Sequence, residues 1–317
     1  MAFAKCLGQA LEEAREEGIV KPVVAALSGD VEVEEAARYL EQRGVPSYPY
    51  APERAVSALS AAYRCSRIAQ RIPASSKKTM GTEAGAVVMA RGLLEEARKG
   101  GRKVLTEYEA KTVLRTFGIP TTEDRLAKSV EEAEAFASRL GFPVVLKISS
   151  PDIVHKSDAG CVRLGLSSPQ EVASAHREIL DNAAKYNPKA RIIGVSVQKM
   201  VPKGHEVIVG SKKDQTFGQV VMFGLGGILT ELLKDVSFRL APISMDEALE
   251  MINEIRGAEL LRGFRGQEPA DIEAIGGILA RVSQMVTHLP EITELDINPA
   301  IAHIRGATAV DARIVLD

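Results

Sequence analysis

The chain has 317 residues, of which 45% are hydrophobic and 26% charged, and a formal net charge of -2. Such a length anticipates about two domains, each large enough to bury a core, and the composition is that of a globular chain. The near balance of charge and the 4% aromatic content disfavour nucleic-acid binding, and no stretch approaches the roughly 18 apolar residues of a membrane span.

The opening MAFAKCLGQALEEAREEG carries four Glu and no signal-type apolar run, so a cytoplasmic protein is expected. Cys6, Cys65 and Cys161 are widely spaced, with no CxxC, and read as reduced thiols. Residues 1–18 read as a helix with Leu7, Ala10, Leu11 and Ala14 on one face and Gly18 as its stop. KPVVAAL (21–27) is a strand, Ser28-Gly29-Asp30 a capping turn, and VEVEEAARYLEQRG a helix closed by Gly44. VPSYPY is a second strand, and PERAVSALSAAYRCSRIAQ a helix with Pro52 in its first turn. This βαβα order predicts a parallel, doubly wound arrangement. Two strands are too few for an independent open sheet, so this is part of a domain. The first strand lacks a following GxGxxG, which disfavours a dinucleotide site.

PASSKKTMGT (73–82) has the punctuation of a linker. Helices are predicted over 83–99 and 106–117, the latter with Val113, Leu114 and Phe117 apolar. DRLAK is then extended, and a helix over 129–140 is capped by Ser129 with Glu132 three residues on. After the Pro143 strand and its loop come the strand CVRLGL and the helix SPQEVASAHREILDNAAKY. ARIIGVSVQKMV and HEVIVGSKK are strands bent around Pro202-Lys203-Gly204. QVVMFGLGGILTELL is a strand running into glycines, and VSFRLAP is another. Helices at about 244–256 and 268–288 precede the hairpin ITELDINPAIAHIRGATAVDARI. The second domain is therefore mixed α+β with much antiparallel pairing.

The segment PVVLKISSPDIVHKSDAGCV (143–162) begins as a buried strand and turns polar at Lys147. Its loop gathers Lys156, His155, two Asp and three Ser without helical or alternating period. The alternative is a solvated connection, but Ile153 and Val154 would be wasted there, and a phosphate would satisfy both lysines. One His and two Asp without i, i+4 spacing match zinc poorly. In ITELDINP, period two puts Glu294, Asp296 and Asn298 on one face. A turn at Arg305-Gly306 would set position 300 opposite 311 and bring Asp311 beside Asn298. These oxygens favour magnesium; the alternative is a surface strand of alternating polarity, against which the apolar TAVDARIVL stands. FGLGG (223–227), with Gly226 and Gly227, is either a phosphate cradle or a tight packing turn. Gln198, Lys199, Met200 and Glu206 flank the bend, and each singly fits a structural role.

From about 103 to 317 the chain resembles the ATP-grasp β subunit of the ADP-forming acyl-CoA synthetases (acetate-CoA ligase, ADP-forming), relatives of succinyl-CoA synthetase. The matching segments, in the family's order, are PVVLKISSPDIVHKSDAG, HEVIVG, VVMFGLGGILTELLKDVSFRLAP and ELDINPAI with AVDARI. The resemblance implies an ATP-grasp fold of two α+β subdomains over 103–317, a linker and helix over 76–102, and, over 1–75, the C-terminal part of a flavodoxin-like ligase domain. It implies ATP/ADP and Mg2+ as cofactors. Lys147, with Lys156 on the same loop, would meet phosphates, and Gln198, Lys199 and Met200 would line the adenine. Glu206 would bind the ribose, Gly226 and Gly227 would belong to the phosphate cradle, and Asn298 and Asp311 would hold magnesium. His155 would be a phosphohistidine on a mobile loop and Asp296 its supporting carboxylate. The implied reaction is acyl-CoA + ADP + phosphate ⇌ carboxylate + CoA + ATP.

The resemblance also implies a CoA-binding domain, a first phosphohistidine region and an opening half of the ligase domain that this sequence lacks. An α-type subunit is therefore the expected partner, with acyl-CoA, CoA and phosphate handled by the complex, and a homodimer or α2β2 assembly as its form. A carboxylate–amine ligase and a non-catalytic nucleotide-binding regulatory subunit are the competing readings. Two departures stand out: Gly160-Cys161 where the family has two glycines, expected to restrict the loop, and KKDQTFGQ in place of an acidic-Pro-Gln-Phe-Gly segment.

Overall fold

The computed structural model describes residues 1–19, 21–29, 32–69, 84–153, 156–227 and 235–317. The chain divides into two compact units, Met1–Pro73 and Ala74–Asp317. The predicted linker at 73–82 lies outside the described residues.

In the first unit the order is α1 (Ala2–Glu16), β1 (Ala25–Leu27), α2 (Val33–Glu41), β2 (Ser47–Pro49) and α3 (Pro52–Ala69). β1 and β2 pair in parallel, with Ala25 opposite Ser47 and Leu27 opposite Pro49, as a strand–helix–strand crossover requires. Ala4, Ala25, Ala36, Leu40 and Val45 form the small core. The buried face of α1 differs from the predicted one: Ala4 and Gly8 are covered and Ala10 is exposed. A Cβ at Gly8 would stand 3.1 Å from the side chains of both Tyr39 and Arg43. The closest approach of α1 to α2 thus selects the smallest residue, which a count of apolar positions overlooks. Leu11, Ile19, Val23, Val24, Tyr48 and Leu59 line an apolar groove of about 530 Å³ in this unit.

The second unit is built on two antiparallel sheets. The smaller joins β3 (Asp124–Ala127), β4 (Val144–Ser149), β5 (Val162–Leu166) and β6 (Gly194–Lys199) in the order β3-β6-β4-β5. One face is covered by α6 (Val130–Leu140) and α7 (Pro169–Tyr186), burying Leu146, Ile148, Val195 and Val197. Ile153 is packed in this core, so the loop after β4 is anchored; Val154 lies outside the described residues. As predicted, Ser129 caps α6, its hydroxyl accepting from the Glu132 amide at 3.3 Å.

The larger sheet joins β7 (His205–Asp214), β8 (Gly218–Leu225), β9 (Val236–Leu240), β10 (Ile292–Ala302) and β11 (Ala307–Ala309) in the order β11-β10-β7-β8-β9. β12 (Ala312–Leu316) also pairs with β10. Behind it lie α4 (Ala84–Lys99), α5 (Glu107–Thr116), α8 (Met245–Glu254), α9 (Ala258–Leu261) and α10 (Ile272–His288). Leu94, Leu114, Val209, Phe223, Met251, Ile278, Leu295 and Ile297 share one core, and fully burying each large apolar side chain contributes about 1.5–3 kcal/mol. The bend at Pro202-Lys203-Gly204 is more than a kink: β6 belongs to the small sheet and β7 to the large one, so the chain crosses here. The last helix starts later than predicted because the Asp271 carboxylate accepts from the Ala274 amide at 2.9 Å and caps it there.

The C-terminal hairpin also differs in register. Ala300 faces Ala309 and Asp296 faces Arg313, two positions from the predicted pairing. The turn falls at Ile304-Arg305, where the His303 amide donates to the Gly306 carbonyl at 3.0 Å, and Gly306 takes the left-handed φ of 82° just after it. A shift of two preserves the faces, and it brings Asp311 directly opposite Asn298, whose amide donates to the Asp311 carbonyl at 3.2 Å.

Candidate active site

Alternation along β4 turns Leu146 and Ile148 into the helix-covered core and Lys147 to the opposite face. Antiparallel pairing sets Lys147 against Ser196 and Val145 against Gln198. Lys147 and Gln198 therefore stand as neighbours on one face of the small sheet. Both are buried, and both find the same partner, the Glu107 carboxylate at the first turn of α5.

Glu107 Oε1 accepts from Lys111 Nζ at 2.8 Å, Lys147 Nζ at 3.0 Å and Gln198 Nε2 at 2.6 Å; Oε2 accepts from Lys156 Nζ at 2.6 Å. Lys111, fully buried, also donates to Thr122 Oγ1 at 2.8 Å. Lys147 reaches across to the large sheet, donating to Asp311 Oδ2 at 3.1 Å. Three ammonium groups, of Lys111, Lys147 and Lys156, thus meet the carboxylates of Glu107 and Asp311. Burial alone would push the Glu107 carboxyl up; Lys147, Lys111 and Lys156 outweigh it and hold the group well below the usual carboxylate range. Burial likewise works against the Lys147 ammonium, but Glu107 and Asp311 raise its pKa and keep it charged.

On the hairpin, Asn298 stands opposite Asp311, and Asp296 lies two residues before Asn298 on β10. Burial first, then the charge of Asp311, pushes the Asp296 carboxyl up. Among the described residues no group of three or more His, Cys, Asp or Glu side chains stands together as a metal site. One carboxylate and one amide are too few for a resident cage, but they fit a magnesium ion that brings phosphate oxygens and water as its remaining ligands.

The other candidates fall into separate places. Glu206 is exposed at the start of β7; the Gly226 amide donates to its carbonyl at 2.6 Å, and a Cβ at Gly226 would stand 2.6 Å from the Glu206 Cβ. Gly227 adopts φ 72° beside the same side chain. These glycines allow a close backbone approach to Glu206. Gln198, grouped in the sequence with Lys199 and Met200, lies instead among the lysines. Lys199 Nζ donates to the carbonyls of Gly141 and Phe142 at 2.8 and 3.0 Å, and the Met200 amide to that of Pro143 at 3.2 Å. His155 lies outside the described residues. At Gly160-Cys161, Gly160 alone adopts the left-handed φ, of 63°, while Cys161 is packed in the small-sheet core. The position filled by Cys161 therefore makes no demand for glycine.

Residues 96–316 match the ATP-grasp domain and residues 1–73 the Ligase-CoA domain. The beta subunit of the ADP-forming acetate–CoA ligase I of Pyrococcus furiosus is 49% identical over 230 residues, covering 73% of this chain and 99% of that one. The chain belongs to the ATP-grasp family of ADP-forming acyl-CoA ligases. The ADP-forming acetate–CoA ligase I of Archaeoglobus fulgidus is 41% identical over 304 residues, which are 96% of this chain and 44% of that longer one. A solved structure of Ca. Korarchaeum cryptofilum dinucleotide-forming acetyl-coenzyme A synthetase 1, in complex with coenzyme A and Ca-AMPCP, gives a TM-score of 0.71 at 51% identity. It covers 72% of this chain and 100% of that one. Two further structures of that protein carry its phosphohistidine segment phosphorylated in a site I orientation and, with Mg-AMPPCP, pointing towards the nucleotide-binding site. The enzyme class is acid–thiol ligase, ADP-forming. The α/β fold, with an ATP-grasp domain that follows a ligase unit along the chain, is as the sequence predicts. Among the described residues no helix is long and apolar enough to cross a membrane.

Sequence reasoning missed Glu107 and Lys111, the residues on which the site is assembled. Their signal was a lysine on the apolar side of α5, three residues before Leu114 and four after a glutamate.

Proposed function

We propose that this chain is the nucleotide-binding catalytic subunit of an ADP-forming acyl-CoA synthetase. In it His155 relays a phosphoryl group to ADP in the reaction acyl-CoA + ADP + phosphate ⇌ carboxylate + CoA + ATP. The observation that carries the reading is the convergence of Lys147, Lys156 and Gln198 on Glu107, with Asp311 of the large sheet bound to Lys147, where the two sheets of an ATP-grasp domain meet.

Phosphoryl transfer asks for positive groups around the equatorial oxygens and in-line alignment of the exchanging atoms. Lys147 and Lys156 supply the charge on phosphate oxygens. A β-phosphate oxygen of ADP forms the new bond to phosphorus as the bond from the phosphorus to the His155 nitrogen breaks, and the imidazole keeps the electron pair. Asp296 accepts a hydrogen bond from the other ring nitrogen and fixes its tautomer. Lys199 and Met200 line the adenine, Glu206 binds the ribose, and Gly226 and Gly227 let the backbone approach the phosphates. Asp311 and Asn298 hold magnesium, which when bound neutralises phosphate charge.

The partner is an α-type chain that supplies the CoA-binding domain and the rest of the ligase domain. Supporting this are the beta-subunit relative, the ligase match confined to residues 1–73, and the longer Archaeoglobus relative. The two-stranded sheet and its apolar groove offer a surface on which further ligase-domain strands can pack. Mixed with an α-type chain, acetyl-CoA, ADP, phosphate and magnesium, the protein should form ATP, and alone it should not. A mixture that makes none, from a chain that binds no magnesium nucleotide, would refute the reading.

A further inference from the structure

The lysines of the nucleotide site are held by a residue outside the strands and loop that carry them. Glu107 starts α5, whose Val113, Leu114 and Phe117 are packed in the core of the large sheet. Lys147 and Gln198 stand on the small sheet, and Lys156 stands on the loop between β4 and β5, one residue after His155. The two oxygens of Glu107 divide these partners. Oε1 takes Lys111, Lys147 and Gln198, all on helix or strand, and Oε2 takes Lys156 of the loop at 2.6 Å. The Glu107 side chain is 7% exposed and that of Lys156 17%, so the contact is little screened by solvent. Beside it opens a cleft lined by Thr106, Tyr108, Ser149, Ser150 and Ser196, with about 20 Å³ of room for water.

We infer that Glu107 is a positioning residue that ties the loop bearing His155 to the frame of the nucleotide site through Lys156. This rests on the reading of His155 and Lys147 given above. A carboxylate that holds Lys147 with one oxygen and Lys156 with the other gives the loop and the small sheet a common frame. In-line transfer needs that common frame.

The test uses the full chain and reads amide hydrogen exchange at Gly160 and Cys161. Their amides donate to the carbonyls of Ser157 and Lys156 at 3.0 and 2.8 Å and so report on the loop. In Glu107→Gln these amides should exchange about tenfold faster, while those of β4 and β6 keep their wild-type rates. Labelling of the protein by ATP should slow about tenfold, and Glu107→Asp should recover part of both effects. Lys156→Gln breaks the same contact but leaves Lys111 paired. It decides the matter if Glu107→Gln does not fold, and should also speed exchange at Gly160 and Cys161. Wild-type exchange in Lys156→Gln, or a Glu107→Asp protein no better than Glu107→Gln, would overturn the inference. A wild-type chain that takes no label from ATP would overturn the phosphohistidine reading instead, and the exchange rates would still test the tether.

Discussion

Replacing Lys147 with methionine removes the ammonium and leaves an unbranched stem in the same slot. The ammonium donates to Glu107 Oε1 and to Asp311 Oδ2 at 3.0 and 3.1 Å. Glu107 keeps Lys111, Lys156 and Gln198, so the variant does not strand a buried carboxylate, the event that costs about 3–5 kcal/mol. The Asp311 side chain is 34% exposed and reaches water. Two charge-assisted contacts are lost and one ammonium no longer has to be desolvated, for a net cost of about 1–2 kcal/mol. Binding should suffer more, because an ammonium disappears where a polyphosphate has to sit. Nucleotide affinity should fall by about 2–3 kcal/mol, roughly 30- to 150-fold. Titration calorimetry with magnesium–ADP and chemical denaturation measure the two numbers. Affinity within about threefold of wild type would take Lys147 out of the phosphate site. A loss of more than about 4 kcal/mol in stability would show the cluster to be a fold determinant first.

Asp311→Ala leaves Lys147 its Glu107 partner and relieves the repulsion on Asp296, so the fold should hold while magnesium dependence weakens. A magnesium titration at fixed ADP that is unchanged from wild type would remove Asp311 from the site. Glu107 has a depressed folded pKa, so it contributes stability above the ordinary glutamate value and loses it as pH falls through the folded value. Stability against pH should accordingly fall below about 4.3 in wild type, and the acid limb should be shallower in Glu107→Gln; parallel acid limbs would contradict this. Leu59→Asp puts a charge in the apolar groove of the first unit and should abolish co-elution with an α-type chain while magnesium–ADP affinity stays at its wild-type value. Undiminished co-elution would move the interface elsewhere.

The elements were legible where side-chain period decides them. Alternation in β4 separates Lys147 from Leu146 and Ile148, and the same rule puts Asp296 and Asn298 on one side of β10. Which sheet a strand joins is not encoded locally, so β6 and β7 read as a bent pair although the chain passes from one sheet to the other between them. The hairpin register depended on where the turn closes. Gly306 suggested itself as a turn residue, yet its left-handed conformation follows the turn at Ile304-Arg305. Glu107 escaped notice because an acidic residue in a first helical turn already has a good reason to be there, the helix dipole. Only Lys111, a charge on the buried side of α5, marked it as more than a solvated side chain, and burial is a tertiary fact.

The central claim is that a phosphoryl group passes between ATP and His155. The full chain incubated with magnesium and ATP labelled in its γ-phosphate tests it most directly. Label that is retained in base, lost in acid and absent from His155→Ala is the expected result. A wild-type chain that binds the nucleotide and stays unlabelled, or a His155→Ala chain that labels as fully as wild type, would contradict the claim.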